Sequence, residues 1–155
     1  MTNTPQRRIE AQVQAALKAG EKEKLQTLRL LLTEIKNERI RRGGEVDESG
    51  FFALVRKAIK QREEAAAQFV AGKREELAAK ERSEAQILAA YLPPPADEGE
   101  IRAAVEQLLA ERGLAGPAAI GPVMKEMIAR FGAAADSGTI NRIARQVLAG
   151  RAAAG

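Results

Sequence analysis

The stretch from Phe51 to Pro95 limits most strongly what this chain can fold into. Apolar residues recur along it at three- and four-residue steps, first from Phe52 to Phe69 and then from Leu77 to Tyr91, which is the spacing of one helix face. Gly72 separates the two patterns, and we expect it to adopt the left-handed conformation that ends many helices. Three consecutive prolines end the second pattern, because proline lacks the N–H and clashes with the preceding turn. The short break predicts a long antiparallel helical hairpin.

The rest of the chain has the composition of an all-α protein. Alanine, leucine, glutamate, lysine and arginine dominate, and no stretch alternates apolar and polar residues as a strand would. We predict an N-terminal helical region of about four helices over residues 1–92, including the hairpin. A proline-rich linker over residues 93–97 and a small C-terminal three-helix domain over residues 98–150 follow it.

Two helix starts stay open at the level of the sequence. The third helix begins after a cap at Asp47 or at Ser49, since both side chains can accept a hydrogen bond from a first-turn N–H. The middle helix of the C-terminal domain begins at Pro117 or at Pro122. If it begins at Pro117, we expect Pro122 to kink it.

Missing residue types exclude several kinds of site. The chain has no cysteine and no histidine, which removes disulfides, thiolate metal sites and most nucleophile–base pairs. No glycine-rich phosphate loop is present. We therefore predict no catalytic residue, no metal site and no cofactor. The N-terminus has no apolar run typical of a secretory signal, and no window reaches the ~20 apolar residues of a membrane span. The expected location is cytoplasmic, without a membrane partner.

Two glutamates of the predicted hairpin fall on its apolar face. Glu81 and Glu84 share the spacing of the neighbouring leucines. Paired inward carboxylates can act as acid and base, which would make the protein an enzyme. An unpaired buried charge is costly, however, so we favour structural ion pairs with basic residues across the interface. The available basic partners are Lys60, Arg62 and Arg29.

Basic residues concentrate in the first helices, where residues 1–44 hold 10 Lys and Arg against 5 Asp and Glu. Such side chains can contact phosphates, although an ordinary solvated face, or favourable charge at a helix C-terminus, would give the same pattern. Stacking on single-stranded bases is not expected, because aromatic residues are few. The candidate nucleic-acid-binding residues are Arg39, Arg41 and Arg42 on the second helix, Arg56, Lys57, Lys60 and Arg62 on the third, and Arg142 and Arg145 on the last.

An ordered set of residues along almost the whole chain, about residues 5–149, resembles the YqeY-like family, also called GatB/YqeY domain proteins. Pro122, where the family often has lysine, and the inserted Ser137 depart from the family's pattern. The matching residues are Lys22-Glu23-Lys24-Leu25 with Arg29; Lys60-Gln61-Arg62, Phe69, Gly72, Arg74, Leu77, Glu81, Glu84, Leu88 and Tyr91-Leu92-Pro93; Gly121 with Val123-Met124; and Ala135-Asp136 with Gly138 and Asn141.

The resemblance implies a helical protein similar to the tail domain of the GatB subunit of tRNA-dependent amidotransferases. In that enzyme the tail contacts tRNA, and the kinase and amidase sites lie in other domains or subunits. A similar module precedes some glutaminyl-tRNA synthetases. The implied function is a non-catalytic tRNA-associated adaptor in translation. Its partners would be tRNA and an aminoacyl-tRNA synthetase or the amidotransferase, a carbon–nitrogen ligase that amidates glutamyl- or aspartyl-tRNA with glutamine as donor.

Two further readings stay open. The chain could be a protein–protein interaction module with no direct RNA binding, which would use the wide apolar face of the second helix and the region of Phe51 and Phe52. It could also be an enzyme that acts through Glu81 and Glu84. An amidotransferase name for a protein of this family would, however, derive from the larger enzyme. The residues do not separate the adaptor from the interaction module, whereas the enzyme is the least favoured of the three hypotheses.

Overall fold

A computed structural model describes residues 3–132 and 134–154 of the chain. Over these ranges the regular structure is helical and contains no strand, which confirms the predicted all-α class. The contacts divide the chain into two compact units, Met1–Leu92 and Pro93–Gly155. That each unit is a separate domain joined by a proline-rich linker stays a prediction.

Within the described residues, the first unit contains four helices. They are α1 (Pro5–Ala19), α2 (Lys22–Arg42), α3 (Glu48–Ala71) and α4 (Glu75–Ala89). Helix α3 begins at Asp47, whose Oδ1 accepts a hydrogen bond from the Gly50 N–H at 2.8 Å, so the structure selects Asp47 rather than Ser49 as the cap.

Helix α2 lies at the centre of the first unit, where it contacts α1, α3 and α4. Helices α3 and α4 pack closely on each other, while the antiparallel direction of this pair stays a prediction. One polar side chain, Thr27, is almost completely buried within α2, a position at which the apolar spacing predicted no core residue. The core of the unit contains Ile9, Val13, Leu28, Leu31, Ile35, Val46, Phe51, Val55, Ala58 and Leu88.

The turn between α3 and α4 differs from the prediction. Gly72 has an ordinary φ of −86°, and the left-handed residue is Lys73, with a φ of 60°. The N–H of Arg74 donates to the Phe69 carbonyl at 2.7 Å, and the N–H of Lys73 donates to the Val70 carbonyl at 3.0 Å. These two bonds define a Schellman motif in which Lys73 takes the position that glycine usually occupies. The left-handed residue therefore lies one position later than the glycine suggests.

In the part of the second unit that the structure describes, there are three α-helices and one 3₁₀ turn. They are α5 (Glu98–Arg112), the 3₁₀ turn Pro117–Ala119, α6 (Ile120–Phe131) and α7 (Ser137–Ala154). Pro122 is the third residue of α6, within its first turn, where the missing N–H of proline costs little. Both prolines thus contribute to this helix start, Pro117 to the 3₁₀ turn and Pro122 to the α-helix.

The core of the second unit lies among its three α-helices. Its proline-rich beginning is attached to this core, because the Ala96 N–H donates to the Ala134 carbonyl at 2.8 Å. No helix of the described ranges is long and apolar enough to cross a membrane. The core residues are Ile101, Ala104, Val105, Leu108, Leu109, Ala119, Val123, Met127, Phe131, Ile140, Ile143, Ala144 and Val147.

Candidate nucleic-acid interface

The three arginines in the last turn of α2 are largely neutralised by nearby carboxylates. Each has a carboxylate partner, and all of these acids lie between residues 38 and 47. This arrangement, the α2 arginine cluster, suits a helix C-terminus but leaves little free positive charge. The pairs are Arg39 with Glu45 at 3.0 Å, Arg42 with Glu38 and with Asp47 at 3.6 Å each, and Arg41 with Glu38.

Two lysines on α3 have the opposite environment. Lys57 and Lys60 are exposed, and no carboxylate of the described residues lies within ion-pair distance of either ammonium group. Lys60 is three positions after Lys57, so the two side chains lie on neighbouring turns of one helix face. Arg56, also on α3, is half-buried. Lys57 and Lys60, the α3 lysine pair, therefore present two free positive charges to solvent.

Arg62, although on the same helix, points inward. Its Nε donates to Glu84 Oε2 at 3.2 Å, and its Nη1 donates to the Ala58 carbonyl at 3.2 Å. The side chains of Arg62 and Glu84 are only 14% and 11% exposed, so this ion pair joins α3 to α4 largely shielded from water. A phosphate that contacted Arg62 would have to compete with Glu84. Within the described ranges, Glu81 and Arg29 lie in no ion pair.

The two arginines of the second unit also differ from each other. Arg142 on α7 pairs with the carboxylate of Glu98 at the start of α5. The Nε of Arg145 donates to Asn141 Oδ1 at 2.8 Å, and no carboxylate of the described chain lies within ion-pair distance of its guanidinium. Arg145 is therefore exposed without a carboxylate partner among the described residues, whereas Arg142 has one.

A contact between α1 and α3 was not predicted from the sequence. The guanidinium of Arg8 forms two hydrogen bonds with Glu48, of which Nη2 to Oε2 measures 2.7 Å, and it lies 5.7 Å above the Phe51 ring. The Arg8 hydrogen bonds hold the pKa of Glu48 below its usual value and raise the pKa of Arg8. The partners are 40 residues apart, and no helical spacing indicates such a contact.

Few groups of the described chain are arranged for acid–base or metal chemistry. The single tyrosine, Tyr91, donates to Gln12 Oε1 at 3.3 Å, and burial raises the pKa of its hydroxyl. It is therefore protonated at neutral pH. No group of three or more acidic side chains in residues 3–132 and 134–154 could hold a metal ion. The accessible chemistry is charge contact through exposed basic side chains.

Comparison with known proteins gives a family match over most of the chain. The family model described as Yqey-like protein matches residues 6–148. "Altered inheritance of mitochondria protein 41, mitochondrial" from Lachancea thermotolerans is 40% identical over 88 residues, which cover 55% of this chain and 47% of the relative. The protein of the same name from Saccharomyces cerevisiae is 32% identical over 104 residues, covering 65% and 56%. The chain thus spans about half the length of the curated relatives it matches.

These relatives contradict the cytoplasmic location expected from the sequence, since their names place them in mitochondria. The prediction was wrong because it relied on missing apolar segments. An absent apolar run argues against a secretory signal or a membrane span, but mitochondrial transit segments are amphipathic and arginine-rich instead.

Proposed function

Because the chain belongs to the YqeY-like family, we propose that it is a non-catalytic adaptor that binds the phosphate backbone of tRNA. It would act as an accessory to tRNA-dependent amidation or to an aminoacyl-tRNA synthetase. The observation that supports this function best is the α3 lysine pair, Lys57 and Lys60, which is exposed and free of carboxylate partners.

The α3 lysine pair suits phosphates better than the candidates that already have a carboxylate partner. A lysine ammonium binds a phosphate as a point charge, and each contact releases condensed counterions from the nucleic acid. The α2 arginine cluster would first have to break its ion pairs with Glu38, Glu45 and Asp47. Arg62 would have to leave a buried pair. The free lysines carry no such cost.

The aromatic side chains favour contact with the backbone rather than with bases. Phe51 and Phe131 are buried, Phe52 and Tyr91 are half-buried against the core of the first unit, and Phe69 is half-buried. None offers a flat exposed ring on which a base could stack. Recognition of folded RNA by charge and shape needs no such ring.

The test is fluorescence anisotropy of labelled bulk tRNA with the full chain over a salt series. We expect affinity to fall steeply with salt. The double variant K57A/K60A should bind ~10-fold more weakly at low salt, and the slope of log K against log salt should decrease by about 2. The matched control is K18A/K125A, which removes two exposed helical lysines elsewhere. No binding at low salt, or an equal loss in the control, would reject the proposal.

A further inference from the structure

Two open grooves lie side by side along α1 and α2. One, of about 550 Å³, runs over the end of α2 and includes Gln6, Arg39 and Ile40. The other, of about 600 Å³, lies between Arg7, Val13 and Leu32. Lys36 lines both grooves, and we refer to the two together as the α1–α2 groove.

The α1–α2 groove combines apolar surface with basic side chains. Ile40 is 78% exposed, the largest value among the exposed large apolar residues of the described chain. Half-buried Leu32 and the edge of Val13 extend the apolar surface along the groove. Arg7 and Lys36 border it, and neither lies within ion-pair distance of a carboxylate in the described ranges. A bound molecule could therefore make both an apolar contact with Ile40 and ion pairs with Arg7 and Lys36.

The apolar side chains of the groove disfavour a nucleic acid as its occupant. A phosphate backbone would gain nothing from contact with Ile40. Glu10 and Glu45 also line the groove, but each already has a hydrogen-bond or ion-pair partner within the chain. Arg7 and Lys36 are therefore the charges that remain for a bound molecule to pair with.

We propose that the α1–α2 groove binds an amphipathic helix of a partner protein, with an apolar stripe flanked by acidic residues. The stripe would cover Ile40 and Leu32, and the acids would pair with Arg7 and Lys36. From Leu32 to Gly43 the groove follows α2 for about 17 Å, at ~1.5 Å per residue. A bound helix of three to four turns matches this length. This protein-binding surface is distinct from the α3 lysine pair.

The test is selection of 16-residue peptides, displayed on phage from a random library, on the full chain. Selected peptides are then measured by fluorescence anisotropy against the wild type, the groove variant K36E/I40S and the control K80E/I128S. The control makes the same chemical changes at an exposed lysine and an exposed isoleucine outside the groove. Circular dichroism and urea unfolding check that both variants remain folded.

We expect the selected peptides to have an excess of Asp and Glu and leucine-type residues at three- and four-residue spacing. They should bind K36E/I40S at least 10-fold more weakly and the control within twofold of the wild type. Peptides without excess acid, peptides that bind K36E/I40S as well as the wild type, or no enrichment at all would overturn the proposal. So would a loss of tRNA affinity in K36E/I40S as large as that in K57A/K60A, since the groove would then be an RNA surface.

Discussion

The end of α2 and the exposed face of α3 contain similar numbers of basic residues but present different charge to solvent. Arg39, Arg41 and Arg42 each meet a carboxylate of the same segment. Lys57 and Lys60 meet none among the described residues. A count of positive charge along the sequence would rank the α2 arginine cluster first. The α3 lysine pair has no carboxylate partner among the described residues, and for that reason we propose it as the phosphate contact.

Exposed and shielded ion pairs also differ in how much they contribute to the stability of the fold. Exposed pairs, such as those of the α2 arginine cluster, contribute little to stability because solvent screens them. A pair shielded from water, such as Arg62 with Glu84, becomes essential once formed, since either partner alone would be a buried charge. Basic residues therefore fall into three environments: shielded pairs, exposed pairs and free charges.

The largest expected effect is at the shielded pair. Arg62→Ala should lower the free energy of unfolding by about 2–4 kcal/mol, because Glu84 would be left buried without its partner. The double variant R62M/E84M should recover most of this loss, since it buries no charge. Urea denaturation followed by circular dichroism measures both. A loss below about 1 kcal/mol in Arg62→Ala would show that this pair behaves like an exposed one.

A smaller effect is expected at the pair of Arg8 and Glu48, which is partly exposed. Glu48→Gln should cost about 0.5–1 kcal/mol at neutral pH. Because the pKa of Glu48 is lowered in the folded state, its contribution is present above its unfolded pKa and is lost as pH falls through the folded pKa. The difference between wild type and variant, measured by urea unfolding from pH 7 to pH 2, should shrink towards zero. A constant difference would contradict a role for the ionised carboxylate.

At Lys73 the backbone rather than the charge should determine stability. Lys73→Gly should raise the free energy of unfolding by about 0.5–1 kcal/mol, because glycine adopts a φ of 60° without strain. Lys73→Ala removes the same charge and should change stability by less than about 0.5 kcal/mol. Thermal unfolding that ranks Lys73→Gly below Lys73→Ala would refute this explanation.

Gly20 takes the same left-handed position at the end of α1, with no atom near the site that a Cβ would occupy. Gly20→Ala should therefore lower the free energy of unfolding by about 1 kcal/mol.

The smallest effect should arise from freeing the α2 arginine cluster. Glu38 pairs with both Arg41 and Arg42, so Glu38→Gln should make these arginines available and raise tRNA affinity about 2–3-fold at low salt. The control, Glu106→Gln, makes the same charge change at an exposed position of α5. Anisotropy with labelled tRNA compares the two. An equal gain in both variants would mean that net charge, not the local pairing, sets the affinity.

Much of the fold followed from local patterns, because caps and helix periodicity act within a few residues. Asp47 was one of two cap candidates, and the ends of α1 and α2 lie at glycines with left-handed φ, Gly20 and Gly43. The turn at Lys73 could not be predicted in this way. The left-handed residue of this turn is determined by the Schellman hydrogen bonds. Gly72, one position earlier, wrongly suggested that the glycine would adopt this conformation.

The candidate site was less predictable than the fold. The sequence identified Glu84 as inward and Arg62 as one of three possible partners, and the structure shows which of them it meets. The contact of Arg8 with Glu48 joins residues on different helices, which no spacing rule relates. The α1–α2 groove depends on how two helices pack, so no single helix pattern reveals it.

By itself, the sequence determined the all-α class, most helix boundaries and membership of the YqeY-like family, since these depend on periodicity, caps and an ordered set of residues. Only the tertiary structure decided which basic residues are free. Charge availability depends on whether a carboxylate lies within about 4 Å, and that distance is fixed by the packing of helices and the loops between them. For that reason Lys57 and Lys60, rather than the longer run of arginines at the end of α2, are the residues through which we expect this protein to contact RNA.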